Sequence, residues 1–202
     1  MLEIIFAKQR ELMNRYHAIE EQNVGHAIPY GEDGYGPYCG ALDVDDRASQ
    51  LRFKDFAWRI TEELTEATLA IEDRTHYEEE LIDALHFSVE LLILCGFQSS
   101  DFAEAQGDTL EVLFNKPMKK FTLTTRVYSV IEKLGEAMNR LKLKPWKTSA
   151  MLTDREAFIR SIFEFFELLI DLLKASGFTA RSATAMYLNK HAVNQFRQSS
   201  AY

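Results

Sequence analysis

The segment from Leu81 to Phe97 constrains the fold more than any other part of the sequence. Most of its residues are apolar, so a helix here would be buried on most sides and not along one stripe only. The ionisable residues that interrupt it are Asp83, His86 and Glu90, and the last two follow Asp83 by three and seven residues. These steps place them on one helix face, where a buried charge needs a partner or a metal ion. The segment predicts a central helix with one polar stripe.

A second predicted helix, over residues 51–71, precedes it, and the two carry acidic pairs. Glu63 and Glu66 lie three residues apart, and so do Glu80 and Asp83 in the next helix. Residues three apart share a helix face, so antiparallel packing would bring four carboxylates together. Ionised carboxylates in one place raise each other's pKa and need a counter-charge, for which Mg²⁺ is suited. The alternative is a solvated acidic face in a chain that is 27% charged.

The rest of the chain also favours helices, and no segment shows convincing period-two alternation. Apolar residues at three- to four-residue steps predict helices over these ranges: 2–22, 51–71, 77–95, 101–114, 125–141, 154–175 and about 179–198. Residues 23–50 hold five of the nine glycines and two of the four prolines, and are predicted to form a long loop, either functional or a mobile surface excursion. The predicted class is all-α, a helical bundle in a single domain over residues 1–202.

Two parts of the sequence resemble each other. ELLILCGF at 90–97 is similar to DLLKASGF at 171–178, and EELTEA at 62–67 is similar to EKLGEA at 132–137. Two degenerate helical hairpins packed together would give a four-helix core. The second copy has Lys133 where the first has Glu63, so most of its metal-binding set would be lost. Chance similarity between amphipathic helices is the alternative.

Composition and motifs exclude several classes of protein. Acids outnumber bases 31 to 23, for a net charge of −8, which disfavours binding to duplex nucleic acid. No apolar run is long enough to span a membrane, and the N-terminus lacks the layout of a signal peptide. The two cysteines form no metal-binding spacing, and they favour a reducing, intracellular compartment. No histidine is followed by aspartate, and the phosphate-binding GxxxxGK[ST] loop is absent.

The acidic pairs resemble the signature of the all-α nucleoside triphosphate pyrophosphatases, the superfamily of MazG-type enzymes and dimeric dUTPases. That signature is ExxE, a spacer and ExxD, and here it is Glu63-x-x-Glu66, thirteen residues, and Glu80-x-x-Asp83. The run from Asp83 through His86 is similar to the DxLHF run of dimeric dUTPases. The spacer is closer to the MazG type, and some phage-type members act on other deoxynucleotides, so the resemblance leaves base selection open.

Both ends of the chain extend the resemblance. AKQRELMNRY is similar to the family's first helix, in which the position of Gln9 helps to form the nucleobase pocket. The C-terminal run from Tyr187 to Gln198, with Lys190, Asn194 and Arg197, is similar to the helix that contacts phosphate and nucleotide.

The resemblance implies hydrolysis of a nucleoside triphosphate to monophosphate and pyrophosphate by a homodimer, in the cytoplasm or in the host cytoplasm if the chain is phage-encoded. It implies Mg²⁺, which Mn²⁺ can replace, on Glu63, Glu66, Glu80 and Asp83. The catalytic candidates are Glu63, Glu66 and Lys190. The candidates for substrate binding are Gln9, Trp58, His86, Lys190, Asn194 and Arg197. The leading substrate is dUTP, and the alternatives are dGTP, dATP, dCTP or a deoxynucleoside diphosphate.

Each of these candidates also has an ordinary structural interpretation. Lys190 and Arg197 fit a basic surface near a C-terminus, because Lys and Arg are mostly exposed. Trp58 fits a core or rim position, and His86 fits a buried, hydrogen-bonded histidine. From another functional class, the chain could be a non-catalytic helical scaffold with a structural ion or a buried ion network. Loss of turnover without loss of folding in Glu63→Gln would separate the enzyme from the scaffold.

Overall fold

The computed structural model describes residues 1–24, 41–102, 109–118, 120–144 and 153–200, but not the side chains of residues 14, 15 and 17–24. Within these ranges the chain is all helical, as predicted. The α-helices are α1 Leu2–Val24, α2 Arg47–Leu69, α3 Arg74–Leu94, α4 Thr109–Asn115, α5 Leu123–Arg140, α6 Arg155–Ala175 and α7 Ala180–Ser199, with a 3₁₀ turn at Ser99–Phe102. None of the described helices is long and apolar enough to cross a membrane.

Two helical hairpins form the centre of the bundle. The most extensive contacts join α2 to α3 and α5 to α6, and further contacts of α2 with α5 and of α3 with α6 join the two pairs. The α2–α3 connection is short, and its Asp73 side chain accepts hydrogen bonds from the backbone amides of Thr75 and His76, the second and third residues of α3. Such a cap satisfies amide groups that have no partner within the helix, and it fixes the start of α3 as a helix separate from α2.

The two hairpins end in the same way. Gly96 after α3 and Gly177 after α6 have φ of 90° and 94°, which glycine adopts without steric cost. In each case the amide three residues beyond the last helical residue donates to a carbonyl five residues earlier, Phe97 to Leu92 and Phe178 to Leu173. This is the Schellman motif. The predicted stops at both glycines are confirmed; the repeat as such stays a prediction.

The helix α3 lies at the centre of the core, because it contacts α1, α2, α6 and α7. Its burial on nearly all sides agrees with the apolar run in the sequence: every residue from Val89 to Leu94 is buried. The helices α1 and α7 pack against each other and against α3. The polar stripe of α3 therefore faces α2, α1 and α7 together, and this arrangement positions the site.

Helix boundaries differ from the sequence prediction by three residues or more in three places, one of which is the start of α3 at Arg74 and not at residue 77. The helix α2 begins at Arg47, earlier than expected, because Asp46 caps it through the backbone amide of Ser49. The segment predicted as a helix over 101–114 is a 3₁₀ turn ending at Phe102 and a helix beginning at Thr109. Residues 25–40 of the predicted loop lie outside the described residues.

Candidate active site

Three of the four predicted metal-binding carboxylates lie together. Glu63 and Glu66 come from α2, and Glu80 comes from α3. One oxygen of each lies within 4.8 Å of the others. Glu80 is buried, at 9% exposure, and it also contacts the ring of His76 at 2.7 Å. Two adjacent turns of α2 thus face the first turns of α3 across the hairpin, as the i, i+3 spacing predicted.

The cluster is electrostatically unbalanced. Burial, a hydrogen bond with Glu80 and the charges of Asp83, Glu80 and Glu66 together raise the pKa of Glu63 to about 8, and burial is the largest of these causes. At neutral pH Glu63 therefore carries a proton, which it shares with Glu80 in that hydrogen bond. Because one acid of the cluster is protonated at neutral pH, a cation would be a favourable counter-charge at this site.

Asp83, the fourth predicted ligand, pairs with a lysine. Its Oδ2 lies 2.6 Å from Nζ of Lys190 on α7, and both side chains are about one-fifth exposed. Burial raises the pKa of the Asp83 carboxyl, and the hydrogen bond and charge of Lys190 act against that rise. Two residues predicted for different ligands, one for a metal ion and one for phosphate, thus neutralise each other.

A pocket of about 240 Å³ opens beside the cluster. Its walls come from α1, α2, α3 and α7, and its lining residues are Gln9, Leu12, Tyr16, Arg59, Glu63, Asp83, His86, Phe87, Glu90, Lys190, Asn194 and Arg197. One end has the acids Glu63 and Asp83 and the bases Lys190 and Arg197. The other end has the aromatic ring of Phe87 and the buried carboxylate of Glu90. This is the layout expected of a site for a ligand with a charged part and a flat polar part.

The deep end of the pocket is a buried hydrogen-bond network around Gln9, which is 2% exposed. The Gln9 amide nitrogen donates to Glu90 at 2.8 Å. Its amide oxygen accepts from the Tyr187 hydroxyl and lies 3.0 Å from Nδ1 of His86. The His86 and Tyr187 rings stack, with centroids 3.7 Å apart. Burial lowers the pKa of His86 to about 3, so its ring is neutral.

A family model described as dUTPase matches residues 68–202, which is more than half of the chain. The chain belongs to this dUTPase family. Membership supports a nucleotide pyrophosphatase activity at the level of the family. No curated protein matches the chain, and no solved structure matches it.

The family match covers only part of the site of this dUTPase-family protein. Within the matched residues lie Glu80, Asp83, His86, Lys190, Asn194 and Arg197. Outside them lie Gln9, Trp58, Glu63 and Glu66. Of these four residues, the structure places Gln9, Glu63 and Glu66 at the site, although the family match does not include them. They lie there because α1 and α2 pack against α3.

Trp58 is the predicted site residue that the structure brings neither to the pocket nor to the carboxylate cluster. Its side chain is 62% exposed and is not part of the lining. One helical turn separates it from Glu62, which points to solvent as well. The side chains of α2 that face the pocket are Arg59 and Glu63, about one turn apart on a different face.

The sequence prediction omitted several lining residues for which a signal existed. Glu90 belongs to the polar stripe of α3 but was not assigned to the site. Tyr16 follows Gln9 by seven residues, and Arg59 precedes Glu63 by four, so each shares a face with a predicted residue. Phe87 stands next to His86 in the DxLHF-like run. Tyr187, which opens the C-terminal motif, is not part of the lining, but its hydroxyl contacts Gln9.

The second hairpin carries ion pairs at the corresponding positions. Lys133 on α5 lies 2.7 Å from Glu136 and 2.8 Å from Glu164 on α6. These two acids align with Glu66 and Asp83 in the internal similarity, and Lys133 aligns with Glu63. A lysine ammonium therefore supplies in the second hairpin the positive charge that the first lacks. Among the described residues, a three-carboxylate cluster occurs only in the first hairpin.

Proposed function

We propose that this protein is a Mg²⁺-dependent nucleoside triphosphate pyrophosphohydrolase that releases a nucleoside monophosphate and pyrophosphate, with dUTP as the leading substrate. The observation that carries the proposal is the cluster of Glu63, Glu66 and Glu80 beside a pocket that also contains Lys190 and Arg197. Two acids that could bind a metal ion, Glu63 and Asp83, line the same cavity as two bases that could bind phosphate, Lys190 and Arg197. Family membership supports a nucleotide pyrophosphatase activity.

The three clustered carboxylates fit Mg²⁺. Oxygens that share one Mg²⁺ at about 2.1 Å lie at most about 4.2 Å apart, so the observed spread of up to 4.8 Å is close to a binding arrangement. The charges of Asp83, Glu80 and Glu66 contribute to the raised pKa of Glu63, after its burial and its hydrogen bond with Glu80, and they favour a cation at this place. When bound, Mg²⁺ would offset charge on the triphosphate and lower the pKa of a bound water. Mn²⁺, which also takes carboxylate oxygens, is expected to substitute.

The chain's own residues have distinct roles in this proposal. Glu63 and Glu66 are the candidates to orient the attacking water, since a carboxylate within hydrogen-bond reach can accept its proton. Lys190 and Arg197 bind the phosphates from one side of α7, because a step of seven residues is two helical turns. Asn194, between them on the pocket wall, donates to ribose or phosphate. Gln9 and His86 lie at the deep end, where the base would be.

One experiment tests the proposal directly. Purified protein is incubated with Mg²⁺ and a panel of canonical dNTPs, dUTP, rNTPs and dUDP, with and without EDTA, and monophosphate and pyrophosphate are quantified. Selective turnover of dUTP that EDTA abolishes is the expected result. Selective turnover of dGTP, dATP or dCTP would keep the chemistry and correct the base. Folded protein without turnover of any nucleotide would favour the non-catalytic scaffold.

The homodimer implied by the resemblance stays a prediction. Three apolar side chains of α2, Leu51, Trp58 and Leu69, are 46%, 62% and 80% exposed. Their spacing of seven and eleven residues keeps them on one helix face. A second copy is the expected cover for this stripe, and a molar mass from light scattering that equals twice 23.3 kDa would support it.

A further inference from the structure

Glu90 is a buried acid that the proposed metal chemistry does not use. It is 7% exposed, and it lines the deep end of the pocket. It follows Asp83 by seven residues on α3, a distance along the helix of about 10.5 Å at 1.5 Å per residue. The carboxylate cluster lies at the other end of the pocket. A nucleotide whose phosphates lie near Lys190 would therefore direct its base toward Glu90.

The residues around Glu90 suit a flat aromatic ligand. Phe87 lies one position from the polar stripe and lines the pocket together with Arg59, whose guanidinium carbon is 5.7 Å from the centre of the Phe87 ring. An aromatic face and a planar cation provide stacking surfaces for a base. Glu90 adds a hydrogen-bond acceptor at the edge of that space. The deep end thus combines stacking with a polar group that can distinguish one base edge from another.

The buried network fixes Glu90 as an acceptor. Burial raises the pKa of Tyr187, and the negative charge of Glu90 adds to the rise, so the Tyr187 hydroxyl keeps its proton and donates to the Gln9 oxygen. The Gln9 nitrogen is then directed to Glu90, 2.8 Å away. The opposite orientation of the Gln9 amide would place two oxygens against each other at that distance. Gln9 is accordingly a positioning residue for Glu90.

We infer that Glu90 recognises the base of the substrate and that its carboxylate accepts a hydrogen bond from the N3–H of uracil. This inference rests on the proposed function, since it concerns the same pocket. A carboxylate has about four acceptor positions, so Glu90 can accept a hydrogen bond from a ligand in addition to the one from the Gln9 amide. Cytosine in the same pose presents a lone pair at N3, which a buried carboxylate repels. The pocket therefore selects a deoxyuridine nucleotide over a deoxycytidine nucleotide at this one atom.

The expected discrimination is large because Glu90 is buried. Sites built to make a hydrogen bond reject an analogue that lacks the partner group by more than sites that merely exclude bulk, because a buried polar group is left unpaired. We expect the wild-type protein to bind the uracil nucleotide about 100-fold or more tightly than the cytosine nucleotide. Glutamine at this position can present its amide oxygen or its amide nitrogen, so Glu90→Gln is expected to reduce that ratio at least about tenfold.

The test measures binding, so it does not depend on turnover. Calorimetric titration with α,β-imido-dUTP and α,β-imido-dCTP in Mg²⁺ is carried out on the wild type, Glu90→Gln and the control Glu79→Gln, which is exposed on the same helix. The expected result is a uracil preference in the wild type and control that falls in Glu90→Gln. A preference that Glu90→Gln leaves unchanged, or a wild type that binds both analogues equally or neither, would overturn the inference.

The outcomes separate the inference from the proposed function. Wild-type protein that binds the uracil analogue selectively but releases no pyrophosphate from dUTP would contradict the proposed function alone. Turnover of dUTP with an unchanged preference in Glu90→Gln would contradict the inference alone. If Glu90→Gln does not fold, N3-methyl-dUTP replaces it as the probe. Calorimetric binding of N3-methyl-dUTP to the wild type in EDTA-treated buffer without turnover, as tight as that of dUTP under the same conditions, would then overturn the inference, and binding at least tenfold weaker would support it.

Discussion

The Lys190 ammonium lies 2.6 Å from the Asp83 carboxylate, and this contact joins the two halves of the proposed site. Asp83 belongs to the acidic signature of α3, whereas Lys190 belongs to the C-terminal motif of α7. Neither can serve a metal ion or a phosphate fully while it serves the other. Binding of Mg²⁺ and of the triphosphate is therefore expected to be mutually favourable, because the two ligands together replace one internal ion pair.

Lys190→Met tests that coupling. Removal of the positive charge beside the acids should tighten Mg²⁺ binding to the nucleotide-free protein at least about threefold, because the nearest cation no longer opposes a divalent ion. The same change should lower kcat/KM about 10- to 100-fold through loss of one charged contact to phosphate. Mg²⁺ titration and steady-state kinetics measure the two effects. Lys8→Met, which removes an exposed lysine paired with Glu11, is the control and should change neither.

Glu63→Gln is expected to abolish most turnover without unfolding the protein. With the pKa of Glu63 raised to about 8, the metal-free protein already carries a neutral acid there, which glutamine resembles. Loss of a ligand or water-orienting carboxylate should lower kcat about 100-fold or more. The exposed neighbour Glu62 offers a matched control in Glu62→Gln. Equal activity of the two variants would remove Glu63 from the site, and circular dichroism would check the fold.

His86 should make stability depend on pH. Its pKa falls from 6.5 to about 3 on folding, because burial opposes the charged ring. Below about pH 6.5 the unfolded chain binds a proton at this histidine that the folded chain does not. The free energy of unfolding is therefore little affected by the ionisation of His86 at pH 7 and decreases as the pH falls, by about 1.4 kcal/mol for each pH unit once well below 6.5. Urea unfolding of the wild type and of His86→Gln at pH 7.0 and 5.5 measures it. The variant should lose less stability; equal losses would contradict the prediction.

Two glycines should respond in opposite ways to alanine. At Gly177, φ is +94° and an added Cβ would lie 3.1 Å from Nη2 of Arg74, so Gly177→Ala should destabilise the fold by about 1–2 kcal/mol. At Gly135, inside α5, an added Cβ meets nothing within 4 Å, so Gly135→Ala should stabilise it by about 0.5–1 kcal/mol. Urea unfolding gives both values. Changes of the same sign would contradict the description of these two positions.

Local sequence patterns predicted most of the secondary structure. Three- to four-residue periodicity identified the long helices, because the backbone geometry of a helix repeats at that step whatever it packs against. The glycines after α3 and α6 marked their ends for an equally local reason, their positive φ. The start of α2 was missed because its cap, Asp46, lies inside a segment that looked like loop from its glycines and prolines.

Spacing also predicted which acids share a face, and it could not predict which partner each would find. The i, i+3 pairs placed four carboxylates in the hairpin, and three of them cluster. Asp83 is turned to Lys190, a residue more than one hundred positions away in the chain. The sequence alone could not show that contact, since it depends on how α7 packs against α3.

What the sequence by itself determined is the class of the fold, the hairpin that carries the acids, and the residue types available for binding phosphate and a metal ion. The tertiary structure decided that Trp58 points to solvent and that Glu90, Arg59 and Tyr16 line the pocket. The physical reason is that periodicity specifies the face of a helix on which a side chain lies. The neighbour of that face is specified by the packing of all the helices, to which residues distant in sequence contribute together.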